Sequence, residues 1–382
     1  MASINKTVKQ IFMFYVLRCT KSNFAVATFI ESALEMCHLY SMNLKELAKH
    51  LNLSPTTVSR ALNGYPEVGA ETKRRVDAEA RRLGYQPNPH ARRLATGRSH
   101  AIGHVFPTDR SLMIDPLFSD FVAGAAEIYA AHGFEVMLHA GGSEDELSVY
   151  RRYAQGGAVD GVVVLGPRVN DLRIALLNKL KLPFIVHGRL DENDDSYAWL
   201  DIDNRGAFQK ATKLHTDLGH RRIGIINGLE DMTFALHRKQ GYEIALKDKG
   251  IGIDPMITSS GLMTEENGYR QSKRILQITN RPTALLLSSM LLVSGAMRAI
   301  NEMGLHIGSD ISLIAHDDGL PFLNADGLVP SLTTTRSSIR AAGSRVAELL
   351  LNIIADPDSE QPHELWNVDL IVRGSTGSVG VC

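Results

Sequence analysis

Seven short apolar runs recur between residues 101 and 315, and long amphipathic stretches lie among them. That alternation leaves the chain few folds to choose from. The runs are 101–106, 134–138, 161–165, 183–186, 222–226, 283–287 and 312–315. Each is short and almost wholly apolar, as a strand buried on both faces must be. The amphipathic stretches are 118–132, 144–155, 204–218, 241–249, 266–277, 293–303 and 339–354. Strand and helix in alternation specify a parallel sheet with helices on both faces. Such a length fits two doubly wound lobes better than one. The expected class is therefore α/β for residues 100–376, split into an N-lobe (about 100–200 plus 330–356) and a C-lobe (about 201–329 plus 357–376).

The segment before this body follows a different rule. Leu44, Leu47, Ala48 and Leu51 share one face of a helix. A turn follows at 52–54, where Ser54 is a natural N-cap and Pro55 takes the first helical position, at which its missing N–H costs nothing. A second helix over 55–62 ends at Asn63-Gly64, and a third over about 70–83 closes at Gly84. Two short helices on a tight turn, followed by a third, predict an all-α helix-turn-helix head over 42–87. Residues 88–99 read as a hinge, because Pro87 and Pro89 break the chain and a helix over 90–95 is too short to stand alone.

Charge separates the same pieces. The net charge is −1 over 382 residues, which by itself points away from nucleic acid. Residues 42–98, however, carry eleven Lys and Arg against five Asp and Glu. A basic head on an acidic body is the electrostatic footprint of a DNA-binding module joined to something else. The three cysteines, Cys19, Cys37 and Cys382, stand in the tails, with no CxxC pair. They build neither a disulfide scaffold nor a zinc site of ordinary spacing, and they point to a reducing, cytoplasmic compartment. No run of 18 apolar residues offers a membrane span. Residues 1–41 match nothing that follows. They hold six aromatics, and Arg18 cuts their apolar run short. They are expected to be a non-native or disordered extension, with Met42 as the biological start.

The stretch from Asn43 to Gly97 resembles the head of the LacI/GalR (lactose-repressor) family. The matching residues are Asn43-Leu-Lys-Glu-Leu-Ala48, Ser54-Pro-Thr-Thr-Val-Ser-Arg60, Leu83-Gly-Tyr85, Pro87-Asn88 and Ala91-Arg-Arg-Leu-Ala95. The body continues the match with Pro116-Leu-Phe118, Asp203-Asn204, Gly219-His220, Arg238-Lys-Gln-Gly241, Asp317-Asp318 and Val372-Arg-Gly-Ser-Thr376. The Ser54-Pro-Thr-Thr head and the Ala101-Ile-Gly-His start have the look of the alpha-glucoside-utilisation type. The resemblance implies a homodimeric regulator, most simply a repressor of carbohydrate-utilisation genes. It implies a palindromic double-stranded DNA operator, and a body resembling the periplasmic sugar-binding proteins with a small-molecule effector between its lobes. A purine or nucleoside effector, and an activating role, remain open within the family. Neither a membrane nor a cofactor is implied.

In such a head the second helix lies in the major groove. Pro55 and Thr56 then face base edges, and Arg60 has the planar fork to pair with a guanine or, failing that, with a phosphate. Thr57, Ser59 and Asn63 suit phosphate positioning, and Val58 and Leu62 suit the core. Lys73, Arg74, Arg75, Arg81 and Arg82 surround the third helix, so only about half of them can reach phosphate. In the hinge, the resemblance makes Leu94 a minor-groove wedge, flanked by His90, Arg92 and Arg93 along the backbone; packing between two hinge helices is its other use.

Ligands of open α/β sheets bind beyond the carboxyl ends of the strands. Asp317 follows a strand and can accept from vicinal hydroxyls; its other use is capping the next turn. Arg238, ahead of the helix expected at 241–249, supplies a donor fork or a surface ion pair. Phe118 and Phe234 can stack on a sugar or fill the core. Where the family commonly has Asn-Asp after the 283–287 strand, this chain has Ser289 and Met290, so Ser289 is the expected effector contact there. No HExxH, P-loop, GxGxxG or GxSxG pattern supports an enzyme. Consecutive His316, Asp317 and Asp318 point to alternate faces, which argues against a metal or catalytic cluster. A plain sugar-binding protein is the remaining alternative, and the basic head argues against it.

Overall fold

The computed structural model describes residues 42–85, 97–107, 116–141, 146–190 and 196–379. Two compact units divide at Gly97.

The first unit holds α1 (Leu44–Leu51), α2 (Pro55–Leu62) and α3 (Ala70–Arg82). Asn43 and Glu46 close a capping box on α1, with Asn43 Oδ1 accepting from the Glu46 N–H (3.1 Å) and Glu46 Oε2 from the Asn43 N–H (2.9 Å). Asn52 ends α1 in the left-handed region, at φ 54°, where the chain turns sharply into α2. Leu47, Ala48, Leu51, Val58, Ala61 and Val76 meet in one small core. Leu62 is half-buried at its edge rather than inside it.

The second unit begins with β1 (Ala101–Pro107), α4 (Pro116–Ala131), β2 (Glu135–Gly141), α5 (Glu146–Gly156), β3 (Gly161–Leu165), α6 (Leu172–Leu180), β4 (Phe184–His187) and β5 (Ala198–Ile202). The chain then crosses to build α7 (Asn204–Asp217), β6 (Ile223–Asn227), α8 (Thr233–Asp248), β7 (Thr258–Ser260), α9 (Glu265–Leu276), β8 (Ala284–Leu287), α10 (Val293–Glu302), β9 (Ser312–Asp317) and β10 (Thr333–Arg336). It returns for α11 (Ile339–Ala355) and β11 (His363–Trp366), and crosses a third time into β12 (Asp369–Ile371). The two six-stranded sheets have the orders β11-β5-β4-β3-β1-β2 and β12-β10-β9-β8-β6-β7. All pairings are parallel except that of β12 with β10. Apolar clusters lie on both faces of each sheet, as continuous apolar strands require.

The lobe boundaries differ from those expected. β10 pairs with β9 and so belongs to the C-lobe, whereas β11 pairs with β5 and belongs to the N-lobe. The segment 330–336, expected in the N-lobe with 337–356, is polar, yet Thr333, Thr334 and Thr335 are buried in the C-lobe. Their polar groups are satisfied inside the lobe: Thr333 N–H donates to Ser375 Oγ (2.8 Å), and Arg373 Nη1 to Thr334 Oγ1 (3.0 Å). Helix α8 also starts two turns before its expected beginning at 241. Gly241 lies within it because a Cβ there would collide with the Arg205 carbonyl of α7, so the glycine serves close helix packing and not termination.

Candidate functional site

In the head, Ser54 caps α2 by accepting from the Thr57 N–H (3.0 Å), and its hydroxyl lies 2.8 Å from Thr57 Oγ1. Val58 and Ala61 turn inward. Helical spacing then puts Pro55, Thr56 and Arg60 on the outer surface, where all three are exposed. Thr57, Ser59 and Asn63 are half-buried, and Asn63 Nδ2 donates to the Ser59 carbonyl (2.8 Å). The basic residues of α3 divide. Arg75 Nη2 donates to the Leu51 carbonyl (2.5 Å), Lys73 Nζ to the Gly64 carbonyl (3.0 Å), and Arg82 pairs with Glu79 (2.6 Å). Arg74 and Arg81 are exposed. The first two contacts tie down carbonyls at the ends of the preceding helices. His90, Arg92, Arg93 and Leu94 lie outside the described residues.

In the body, the ends of β4, β5, β8 and β9 converge on a cleft between the lobes. Its inner part, a cavity of about 120 Å³, is bordered by His187, Asp201, Asn204, Arg238 and Asp318. Arg238, in the second turn of α8, donates from Nε to Asn204 Oδ1 (2.8 Å) and from Nη1 to both the carbonyl and the hydroxyl (3.1 Å) of Ser288. Its guanidinium lies over Phe234 and Phe208, 4.9 and 5.3 Å from the ring centres. Burial lowers its pKa to about 10, partly offset by Asp318 and Asp201, so it stays charged near neutrality. Asn204 Nδ2 in turn donates to Asp201 Oδ1 (3.3 Å), and Arg189 Nε to Asp201 Oδ2 (3.2 Å). Burial pushes the Asp201 carboxyl up to about 6 against the pull of Arg189.

His187, at the end of β4, comes like Asp201 from the N-lobe sheet, opposite Arg238. Burial lowers its pKa to about 4, so the ring is neutral near pH 7. Its Nε2 is buried and has no hydrogen-bond partner among the described residues. The ring packs 5.0 Å from that of Phe121.

Two expected effector contacts are otherwise engaged. Asp317 Oδ1 accepts from the Gly319 N–H (2.8 Å), the turn-capping use, and the residue does not border the cleft. Asp318, one residue on, does. Alternation along the strand decides between them, since neighbours point to opposite faces. Ser289 is fully buried; its hydroxyl accepts from the Leu291 N–H (3.2 Å), capping a single 3₁₀ turn, and donates to Asp318 (3.4 Å). His316 and Asp318, two apart, share a face and meet at 3.4 Å. Burial resists ionisation of Asp318, yet His316, Arg238 and Ser289 together hold its carboxyl below the usual range. Phe118 and Phe234 border the larger, outer part of the cleft. Sequence reading missed His187, Asp201 and Asn204. Asn204 had a signal in Asp203-Asn204, which the family match already contained.

Among the described residues no helix is long and apolar enough to cross a membrane. The family of bacterial regulatory proteins named for lacI matches residues 43–88, and a periplasmic binding protein-like domain matches 213–376. The chain is 48% identical over 336 residues to the HTH-type transcriptional regulator AglR of Rhizobium meliloti (strain 1021), covering 88% of this chain and 94% of that one. It is 32% identical over 339 residues to RafR of Escherichia coli, covering 88% and 98%. Among solved structures, a CelR–cellobiose complex matches with TM-score 0.65 at 27% identity, covering 88% of this chain and all of that one. The lac repressor dimer bound to operator and the anti-inducer ONPF matches with TM-score 0.75 at 25% identity, covering 88% and 99%. With a helix-turn-helix head, a two-sheet body of the periplasmic-binding type and relatives that are regulators rather than enzymes, the chain belongs to the LacI family and is a DNA-binding transcriptional regulator.

Proposed function

We propose that the protein is a cytoplasmic homodimer that represses carbohydrate-utilisation genes from a palindromic operator, and that a sugar in the inter-lobe cleft weakens or strengthens that grip. The observation that carries the reading is the floor of the cleft. Asn204, Arg238 and Asp318 come from the C-lobe side, and His187 and Asp201 from the N-lobe. Closely spaced acceptors and donors of this kind match vicinal hydroxyls. Contacts from both lobes give a sugar different affinities for open and closed bodies, which is what lets it shift the equilibrium. Pro55, Thr56 and Arg60 read base edges, while Thr57, Ser59 and Asn63 shape the helix end that meets phosphate. A relative solved with cellobiose supports a sugar as the effector class, and alpha-glucosides are the first candidates.

The test is a gel shift with a palindromic operator from the region upstream of the protein's own gene, with and without a panel of sugars. Specific binding that one sugar shifts is the expected result. Absence of any specific shift overturns the regulator assignment at this operator, and a shift that no sugar alters overturns the effector class.

A further inference from the structure

The cleft continues outward from its polar floor into a cavity of about 790 Å³, within the range of sites that hold drug-sized ligands, about 300–1,000 Å³. The two parts share Leu117, Gly166, His187, Phe234, Met263 and Ile339, so one molecule can occupy both. Their chemistries differ. The floor is lined with hydrogen-bonding groups, whereas the outer part is walled by Phe106, Phe118, Phe234, Leu262, Met263 and Phe322.

Phe322 is the informative residue. It sits in the loop 319–330 between β9 and β10, where the chain is long for a simple connection. Leu320 and Ala325 anchor that loop in the protein, and Leu323 packs on the C-lobe core. Phe322 between them is 64% exposed, and Leu262 across the mouth is 53% exposed. A pinned loop that leaves one phenyl ring facing a cavity is a ready-made platform, because a flat apolar ring face packs well against an aromatic one.

The charges narrow the ligand further. Two arginines border the cleft, and both are committed. Arg173 pairs with Asp171 (2.6 Å) and Glu146 (3.3 Å), and the nearby carboxyls of Asp318 and Asp201 offset the charge of Arg238. Neither is free to neutralise a carboxylate or phosphate on a ligand.

We propose that the effector is a neutral glycoside of two units, its first sugar ring held by the polar floor and its second unit stacked on Phe322, which thereby selects glycosides over free monosaccharides. The proposal rests on the sugar reading above. The second unit presents a flat apolar face, which either another pyranose or an aryl group supplies.

The test is titration calorimetry on the full chain with glucose, maltose, trehalose, sucrose, cellobiose and 4-nitrophenyl α-glucoside. At least one glycoside is expected to bind about tenfold or more tightly than glucose. Phe322→Ala should remove most of that advantage while leaving glucose affinity unchanged within about twofold, and Phe322→Trp should keep it. An unchanged melting temperature without sugar shows that the variant is folded, as expected for an exposed side chain. Gain with disaccharides assigns the outer unit as a pyranose, and gain with the nitrophenyl glycoside alone assigns it as an aryl group; both support the proposal. Equal affinity for glucose and the glycosides, or equal losses on both in Phe322→Ala, overturns the two-unit site and leaves the sugar reading standing. Binding of none of these ligands overturns both.

Discussion

His316 Nε2 lies 3.4 Å from an Asp318 carboxylate oxygen, across the single residue Asp317 that turns the other way. The imidazole is itself fixed, with Nδ1 2.9 Å from Thr335 Oγ1 and Nε2 3.1 Å from Ser337 Oγ. Asp318 is thus held from behind by one lobe while its exposed edge borders the cleft. Replacing it with asparagine keeps the shape and removes the charge. Asp318→Asn is expected to weaken sugar binding by about 1.5–3 kcal/mol, the range for hydrogen bonds to a charged group. Operator affinity without sugar should be unchanged. Calorimetry and a sugar-free gel shift on the same preparation check both halves.

Protonation of the buried groups gives two opposed dependences on pH. The Asp201 carboxyl is raised to about 6 when folded, so the native state holds its proton where the unfolded chain has lost it. Its contribution therefore falls as pH rises from about 4 to 6. His187 and His104 are lowered to about 4 and His215 to about 3. Between about 4 and 6.5 the unfolded chain holds those protons, so stability rises with pH there. Each pH unit between a folded and an unfolded pKa is worth about 1.4 kcal/mol. Three histidines against one aspartate give a net rise from pH 4 to 6.5, and Asp201→Asn should steepen it. Urea denaturation at four pH values would measure the slopes; a flatter curve for Asp201→Asn would refute the assignment.

Among the head's basic residues, contacts divide those that serve stability from those left for binding. Arg75→Ala frees the Leu51 carbonyl and should lower the melting temperature of the head by the equivalent of about 0.5–1.5 kcal/mol. Arg74→Ala and Arg81→Ala should leave it unchanged. If these two meet phosphate, each reduces the salt slope of DNA binding by about 1. A slope unaltered by either substitution would place both away from the backbone.

Arg60→Ala is expected to cost about 1–3 kcal/mol on the operator and relax preference at one base position. A uniform loss across all sequences would make Arg60 a phosphate contact instead.

Leu94→Ser should lower operator affinity far more than nonspecific affinity if the side chain is a wedge. Equal losses on both DNAs count against it.

The strands that composition reveals are those buried on both faces. Gly161–Leu165 and Ala284–Leu287 are of this kind. β10, Thr-Thr-Thr-Arg, is likewise paired on both sides, yet reads as a loop because its threonine hydroxyls find partners only once Arg373 and His316 are folded against them. β7 is a three-residue polar edge, and α6 is apolar nearly all round, so neither shows a period. The start of the second helix was legible to its cap, since Ser54 and Pro55 act locally. The cleft was legible at Arg238 and not at Asp317, because a shift of one residue along a strand inverts the face and no pattern fixes where the strand ends.

The three crossings between lobes carry a genetic consequence. Each lobe is assembled from separated stretches of the gene, and α11 and β11 reach the N-lobe only after all of β6–β10 has been made. A stop codon anywhere before α11 ends at residue 355 therefore removes core from both lobes at once. It leaves no half-body that could bind sugar. The head, by contrast, is one unbroken stretch, so recombination can exchange it as a cassette. Operator choice and sugar choice are thus free to evolve at different tempos, the first by exchange and the second by point mutation.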